Sequence, residues 1–246
     1  MNPIVLSREI RSDMKYTLIW TVIMTFALIA NTLGAVLPAR GAGAAYNVPA
    51  ALASALSNLF YSGPIFAMIL GSLVISREED EKTIEFLLAH PITRTEIAVS
   101  KLLAYTTAVV FLNVIITSTG LVLLAILGGS IRGIASFLSL CLSSFILMYG
   151  FGAAGMFLSM FIVKGGAVVG YSIGIPMLLF ILSLLQTTGS QILQTLSYLS
   201  PFRYMNVVGV MSTGSIDVPF VCVAAALSIV FIAAAVALYR KKEFAV

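Results

Sequence analysis

Apolar stretches of about twenty residues recur along this chain, separated by short polar interruptions. They cover about 16–37, 56–75, 102–127, 134–162, 166–185 and 218–239. Each is long enough to cross roughly 30 Å of hydrocarbon as a helix. The pattern predicts an all-α membrane protein with six transmembrane helices. Little chain is left for a soluble domain, so residues 1–246 read as a single transmembrane domain. The first run is too long for the apolar core of a cleavable signal, and no convincing small-residue cleavage site follows it.

The interruptions carry their own patterns. In residues 1–15, Leu6, Ile10 and Met14 recur every fourth position, with Ser7, Arg8, Arg11 and Lys15 on the other side. That spacing predicts an N-terminal interfacial helix lying in the membrane plane before the chain turns inward. Gly63-Pro64 and Pro176 fall inside the second and fifth runs, where a proline removes a backbone donor and kinks a helix. Gly166, Gly170 and Gly174 stand four apart in the fifth run, a small-residue face suited to close helix packing, with packing inside the same subunit the preferred reading. Residues 186–217 are not plain loop. Ile192, Leu193, Leu196 and Leu199 follow helical spacing up to Ser200-Pro201, which predicts short outer helices dipping into the far interface. Tyr198, Phe202 and Tyr204 suit that depth and are candidates for an outer gate. Asp217 is placed to cap the sixth span, with Pro219 tolerated in its first turn.

Composition agrees with a membrane class: 60% of residues are hydrophobic and 10% charged, against about 25% charged in soluble domains. The net charge of +4 points to nucleic acid only until the charges are placed. Arg8, Arg11, Lys15, Arg77, Lys82, Arg94, Lys101, Lys164, Arg240, Lys241 and Lys242 fall at one end of the spans, and only Arg40, Arg132 and Arg203 at the other. The positive-inside rule then puts both termini and residues 76–101 in the cytoplasm of a multi-pass protein. The basic tail suits anionic lipid headgroups. Cys141 and Cys222 lie inside spans and suggest no disulfide framework.

Chemistry-bearing motifs are few. Gly150, Gly152 and Gly155 match a dinucleotide-binding pattern by letter. No strand precedes them, however, and no acidic residue occurs between Glu96 and Asp217, so a thin packing face is the simpler reading. No glycine precedes a lysine, which excludes a phosphate-binding P-loop on this chain. No Asp, Glu, Lys or Arg lies deep in a run, which weakens an ion-coupled carrier and leaves an intramembrane enzyme without catalytic groups. His90 is the sole histidine and sits at a solvent-facing corner. The nearby acidic residues have only generic spacing, so neither a catalytic residue nor a metal site is assigned.

The most informative interruption is residues 76–101, with ten charged residues and the histidine. Glu78, Glu79, Asp80 and Glu81 favour a helix N-terminus. Ile84, Leu87 and Leu88 then share one side, with Phe86 at its edge. Burying each of those four in a partner's groove contributes on the order of 1.5–3 kcal/mol; resting on the membrane surface is the other reading. His90-Pro91 ends that helix. Thr93 and Glu96 form a capping box, with Ile92 and Ile97 at the positions of a hydrophobic staple, so a new helix starts near Arg94 and runs into the third span. Helix, rigid corner, helix is the expected arrangement.

The run Glu81, Lys82, Thr83, Ile84, Glu85, Phe86, Leu87, Leu88, Ala89, His90, Pro91, Ile92, Thr93, Arg94, followed by Ile97 and Lys101, resembles the intracellular loop of type-2 ABC exporter permeases. That family commonly shows an acidic run, a Gly/Thr-Leu-Glu-Leu-Leu-Leu core, then proline, Ile or Val, Ser or Thr, Arg and a Lys. Lys82 stands where glycine is frequent, and Phe86 where leucine is frequent. The six-span layout is similar too. The resemblance implies that the segment is a cytoplasmic coupling helix between spans 2 and 3, docking on a separate ATPase subunit that binds ATP and Mg. It implies a second permease subunit, identical or paralogous, export across the cell membrane, and no enzyme activity on this chain. The coupling residues would be Arg77, Glu81, Thr83, Glu85, Phe86, Leu87, Leu88, Pro91 and Arg94. A membrane anchor that recruits a cytosolic partner without transport uses the same docking segment and is the alternative.

Overall fold

The computed structural model describes residues 3–43, 47–80, 93–128, 131–162, 164–187, 190–204 and 218–241. Its long helices are α1 (Pro3–Gly41), α2 (Val48–Asp80), α3 (Arg94–Leu127), α4 (Ile131–Leu158), α5 (Gly165–Leu184) and α7 (Val218–Lys241). A short helix, α6 (Gln191–Leu196), and three 3-10 turns (Leu185–Thr187, Ser197–Leu199 and Pro201–Tyr204) link α5 towards α7. No strand occurs among the described residues. Each of the six long helices contains a window long and apolar enough to cross a membrane, which bears out the predicted fold class.

Packing is organised around α2, whose membrane window is 72% buried, against 22% for α1 and α5 and 11% for α7. α2 packs most heavily on α4 and also meets α1 and α5. Glycines make the α2–α4 approach possible. A Cβ at Gly71 would clash with the Gly152 carbonyl, and one at Gly155 would lie 2.6 Å from Met68 O. A Cβ at Gly152 would overlap the Tyr105 ring. The glycine run in α4 is therefore the packing face that its sequence suggested. Two hydrogen bonds tie neighbouring helices to the seam: Tyr105 OH of α3 donates to Met148 O at 3.2 Å, and Ser172 Oγ of α5 donates to Ser72 Oγ at 3.1 Å.

One end of the bundle gathers the charges. Glu9 and Asp13 of α1, Arg77 of α2 and Lys101 of α3 meet there. Ile97 and Ala98 of α3, Met160 just past the end of α4, and Tyr239 of α7 form a small apolar cluster at the same end. This charged end is where α2 stops and α3 starts, on either side of residues 81–92.

The structure corrects the expected N-terminal interfacial helix. α1 is continuous for 39 residues, with no turn after residue 15. No proline or glycine interrupts it between Ile4 and Leu33, and its length of about 58 Å well exceeds a hydrocarbon core. Its buried stripe is Glu9, Asp13, Thr17, Thr21, Met24, Leu28, Thr32 and Val36. Leu6, Ile10 and Met14 are only half-buried, while Ser7, Arg8, Arg11 and Lys15 are exposed as expected.

Candidate functional site

The charged corner is built from local capping. Thr93 has extended backbone, φ −76° and ψ 146°, as an N-cap requires. Glu96 N donates to Thr93 Oγ1 at 3.3 Å, and Thr93 N donates to Glu96 Oε2 at 3.2 Å. This reciprocal pair is the predicted capping box, and it satisfies two donors that a helix start leaves open. One turn in, Ile97 is fully buried against the Met160 and Tyr239 cluster. The first turn of α3 is thus fixed both by its cap and by packing.

Two ion pairs, one buried and one part-buried, hold the roots of the segment against α1. Arg77 Nη1 donates to Ser12 Oγ and reaches Asp13 Oδ1 at 3.5 Å. Its guanidinium also lies 5.4 Å from the centre of the Tyr16 ring, a cation–π distance. Lys101 Nζ donates to Val74 O at 2.5 Å and sits 3.5 Å from Glu9 Oε2. Asp13 is 0% exposed, Lys101 2% and Glu9 6%. Asp13 Oδ2 and Arg77 Nη2 are buried with no hydrogen-bond partner among the described residues. Glu9 and Asp13 lie four apart, hence on one helix face, and each meets a cation from a different neighbour. Sequence reasoning missed both acids. The available signal was an i, i+4 carboxylate pair inside a long, otherwise apolar helix.

Arg77, expected to face a partner, instead turns inward to α1. Arg94 is half-buried in the first turn of α3. Glu81, Thr83, Glu85, Phe86, Leu87, Leu88 and Pro91 lie outside the described residues. Among the described residues no group of His, Cys, Asp and Glu could hold a metal.

At the opposite end, the three outer-gate candidates divide into a plug and a rim. Phe202 is buried between Phe151 of α4 and Phe180 of α5, with ring centroids at 5.4 and 5.9 Å. Ser200 Oγ donates to Leu179 O at 2.6 Å and accepts from Phe202 N at 3.2 Å, which fixes the turn that carries the plug. Tyr198 is exposed, and Tyr204 OH donates to its carbonyl at 3.2 Å. Arg203 covers the Tyr198 ring at 3.6 Å and donates to Gln194 O at 2.7 Å. Residues 205–217, with the Asp217 cap, lie outside the described residues. Gly166, Gly170 and Gly174 are exposed, with no atom within 4 Å of an added Cβ. Packing of that face within the subunit is thus not met among the described residues.

Six apolar helices with a capped, ion-paired corner between the second and third define a multi-pass membrane protein. The family model described as ABC-2 family transporter protein matches residues 5–244, nearly the whole chain, and the protein belongs to that family. It is accordingly a permease-type membrane component of an ABC transporter, in a family whose members generally pair with an ATP-binding subunit. A comparison with curated proteins finds no match.

Proposed function

We propose that the chain is the membrane-spanning subunit of an ATP-driven exporter in the cell membrane, forming the substrate pathway as one of two permease subunits. The charged end faces the cytoplasm, where residues 76–101 dock on a separate ATPase subunit. ATP and Mg bind that partner; this chain supplies docking and conformational change and no catalytic group. Phe86, Leu87 and Leu88 fill the partner's groove, while Glu81, Thr83, Glu85 and Arg94 set the register. Pro91 stiffens the corner.

The observation that carries this reading is the way the segment's roots are held. α2 and α3 leave and re-enter at a corner capped by Thr93 and Glu96 and tied to α1 through Arg77–Asp13 and Lys101–Glu9. A push on the segment is therefore delivered to three spans together, because packed elements move as bodies and do not deform continuously. The test is Leu87→Asp in the assembled transporter. Burying a carboxylate in an apolar groove removes a docking hot spot worth at least about 2 kcal/mol. Co-purification of the ATPase and transport-coupled hydrolysis should fall by more than about tenfold, while the permease still inserts in the membrane. Full hydrolysis coupled to transport in that variant overturns the docking assignment.

A further inference from the structure

Between α5 and α7 the bundle is open. α5 packs on α2, and α7 packs on α4 and α3, but the two barely touch each other. The space between them is a cavity of 370 Å³. Its floor is α4, with Gly150 and Ala154; Ile175 of α5 and Leu227 of α7 stand on either side. Pro201, next to the Phe202 plug, closes it towards the outer end. The wall is apolar throughout. Its one hydroxyl, Ser228 Oγ, already donates to Ala224 O at 2.7 Å.

An apolar cavity of about 150 Å³ stays dry and takes apolar guests; this one is more than twice that volume. It extends along α4 from Ile146 to Leu158, a rise of about 18 Å. That approximates one leaflet, half of a hydrocarbon core of roughly 30 Å. Leu158 ends α4 near the charged boundary, so the cavity occupies the leaflet on that side. The helices flanking the opening both present cations there: Lys164 is the N-cap of α5, and Arg240 and Lys241 lie in the last turn of α7. All three are exposed; no acidic residue lies between Glu96 and Asp217, and Glu243 is the one acid in the sequence after Asp217.

We propose that this cavity binds the hydrocarbon tail of an anionic, single-chain amphipath that enters sideways between α5 and α7 from the leaflet at the charged end. The tail lies along α4 beneath Pro201, and the headgroup stays at the boundary among the cations. The assignment rests on the transporter reading above and gives its substrate a chemical class. The shape and the lack of any unpaired wall polarity select a tail. The flanking charge selects the sign of the head.

The experiment uses the permease in phosphatidylcholine nanodiscs and palmitate carrying a diazirine at its chain end. Saturable photolabelling is expected at cavity residues such as Ala154 and Leu227. Labelling should be about fivefold stronger than with the uncharged alcohol of equal length, the contribution of one surface cation. Ala154→Phe, which fills the floor, should cut labelling at least about tenfold, since each displaced methylene weakens binding about fourfold. Leu227→Trp, on the exposed last helix, gives the same reading should Ala154→Phe misfold. Equal, unsaturable labelling of the lipid-facing Val114 and Ile126 overturns the site, as does cross-linking of Leu227 to a second copy that fills the opening. In the assembled transporter, palmitate should raise ATP hydrolysis in wild type but not in Ala154→Phe. Binding without that stimulation makes the guest a resident lipid and overturns the substrate assignment. Labelling is read without the ATPase, so its failure is separable from failure of the docking reading tested by Leu87→Asp.

Discussion

Glu9 and Asp13 are acids in an apolar helix, and their burial is tolerable only because Lys101 and Arg77 neutralise them. Such pairs contribute less to stability than to specifying one arrangement, since desolvation offsets most of the attraction. The buried, unpaired Asp13 Oδ2 and Arg77 Nη2 fit that description. The consequence is an asymmetry between single and double changes. Glu9→Gln removes the carboxylate 3.5 Å from the buried Lys101 ammonium, which costs about 3–5 kcal/mol. Lys101→Met takes the cation from the buried Glu9 carboxylate in the same way. The double variant removes both charges and should recover most of the loss, seen as a thermal midpoint in detergent close to wild type. A double variant as unstable as the worse single one shows that the two groups are not each other's buried partner.

At the scale of the element, two glycine patterns that look alike in sequence behave differently. Gly71 faces the backbone of Gly152, so a methyl there meets a carbonyl that cannot swing aside. Gly71→Ala should therefore destabilise the bundle by about 1–3 kcal/mol as overpacking. Gly174→Ala meets open space and should leave the thermal midpoint of the isolated chain unchanged or slightly higher, because alanine is the better helix former. Equal effects from both would contradict the packing described. This contrast marks what the sequence could reveal. The capping box at Thr93 and Glu96 was legible because both of its bonds span three residues. The six spans were legible from length and hydropathy, and the α4 glycine face from its lack of any dinucleotide-site context. The turning of α1 onto its acidic face was not legible. Leu6, Ile10 and Met14 advertise the opposite face, and the cations that reverse the preference lie 64 or more positions away. Continuity of α1 beyond Lys15 was hidden for the same reason: nothing local distinguishes a helix lying in the interface from one continuing into the bundle. The open face of α5 was legible as small residues, but what it packs on is not encoded locally.

For the whole molecule, α2 connects the two candidate sites through its packing on α4 and α5. α2 carries Arg77 at the charged end, its glycine seam binds it to α4, and Phe151 of α4 holds one side of the Phe202 plug. Phe180 of α5 holds the other side, and α5 in turn packs on α2. Motion of α2 relative to α5 would thus separate the two rings that grip Phe202, linking the charged corner to the outer end without any continuous wire of polar contacts. If the plug is what closes the outer end, its burial sets the closed population. Phe202→Ala forfeits about 3 kcal/mol of that burial, enough to raise the population of a locally opened outer segment by about a hundredfold where the opening is a subglobal event. Leu147 is 3% exposed, lines the cavity and lies one turn from Phe151 on the same face of α4, so a cysteine there reports release of the plug. Leu147→Cys should react slowly with a membrane-impermeant thiol reagent added at the face opposite the charged end, and much faster when Phe202→Ala is added. The far end of α1 gives the control: Leu37→Cys is exposed and should react at the same rate in both backgrounds. Unchanged protection of Leu147→Cys beside an unchanged control would mean that Phe202 is a packing residue and that the outer end is closed by something else.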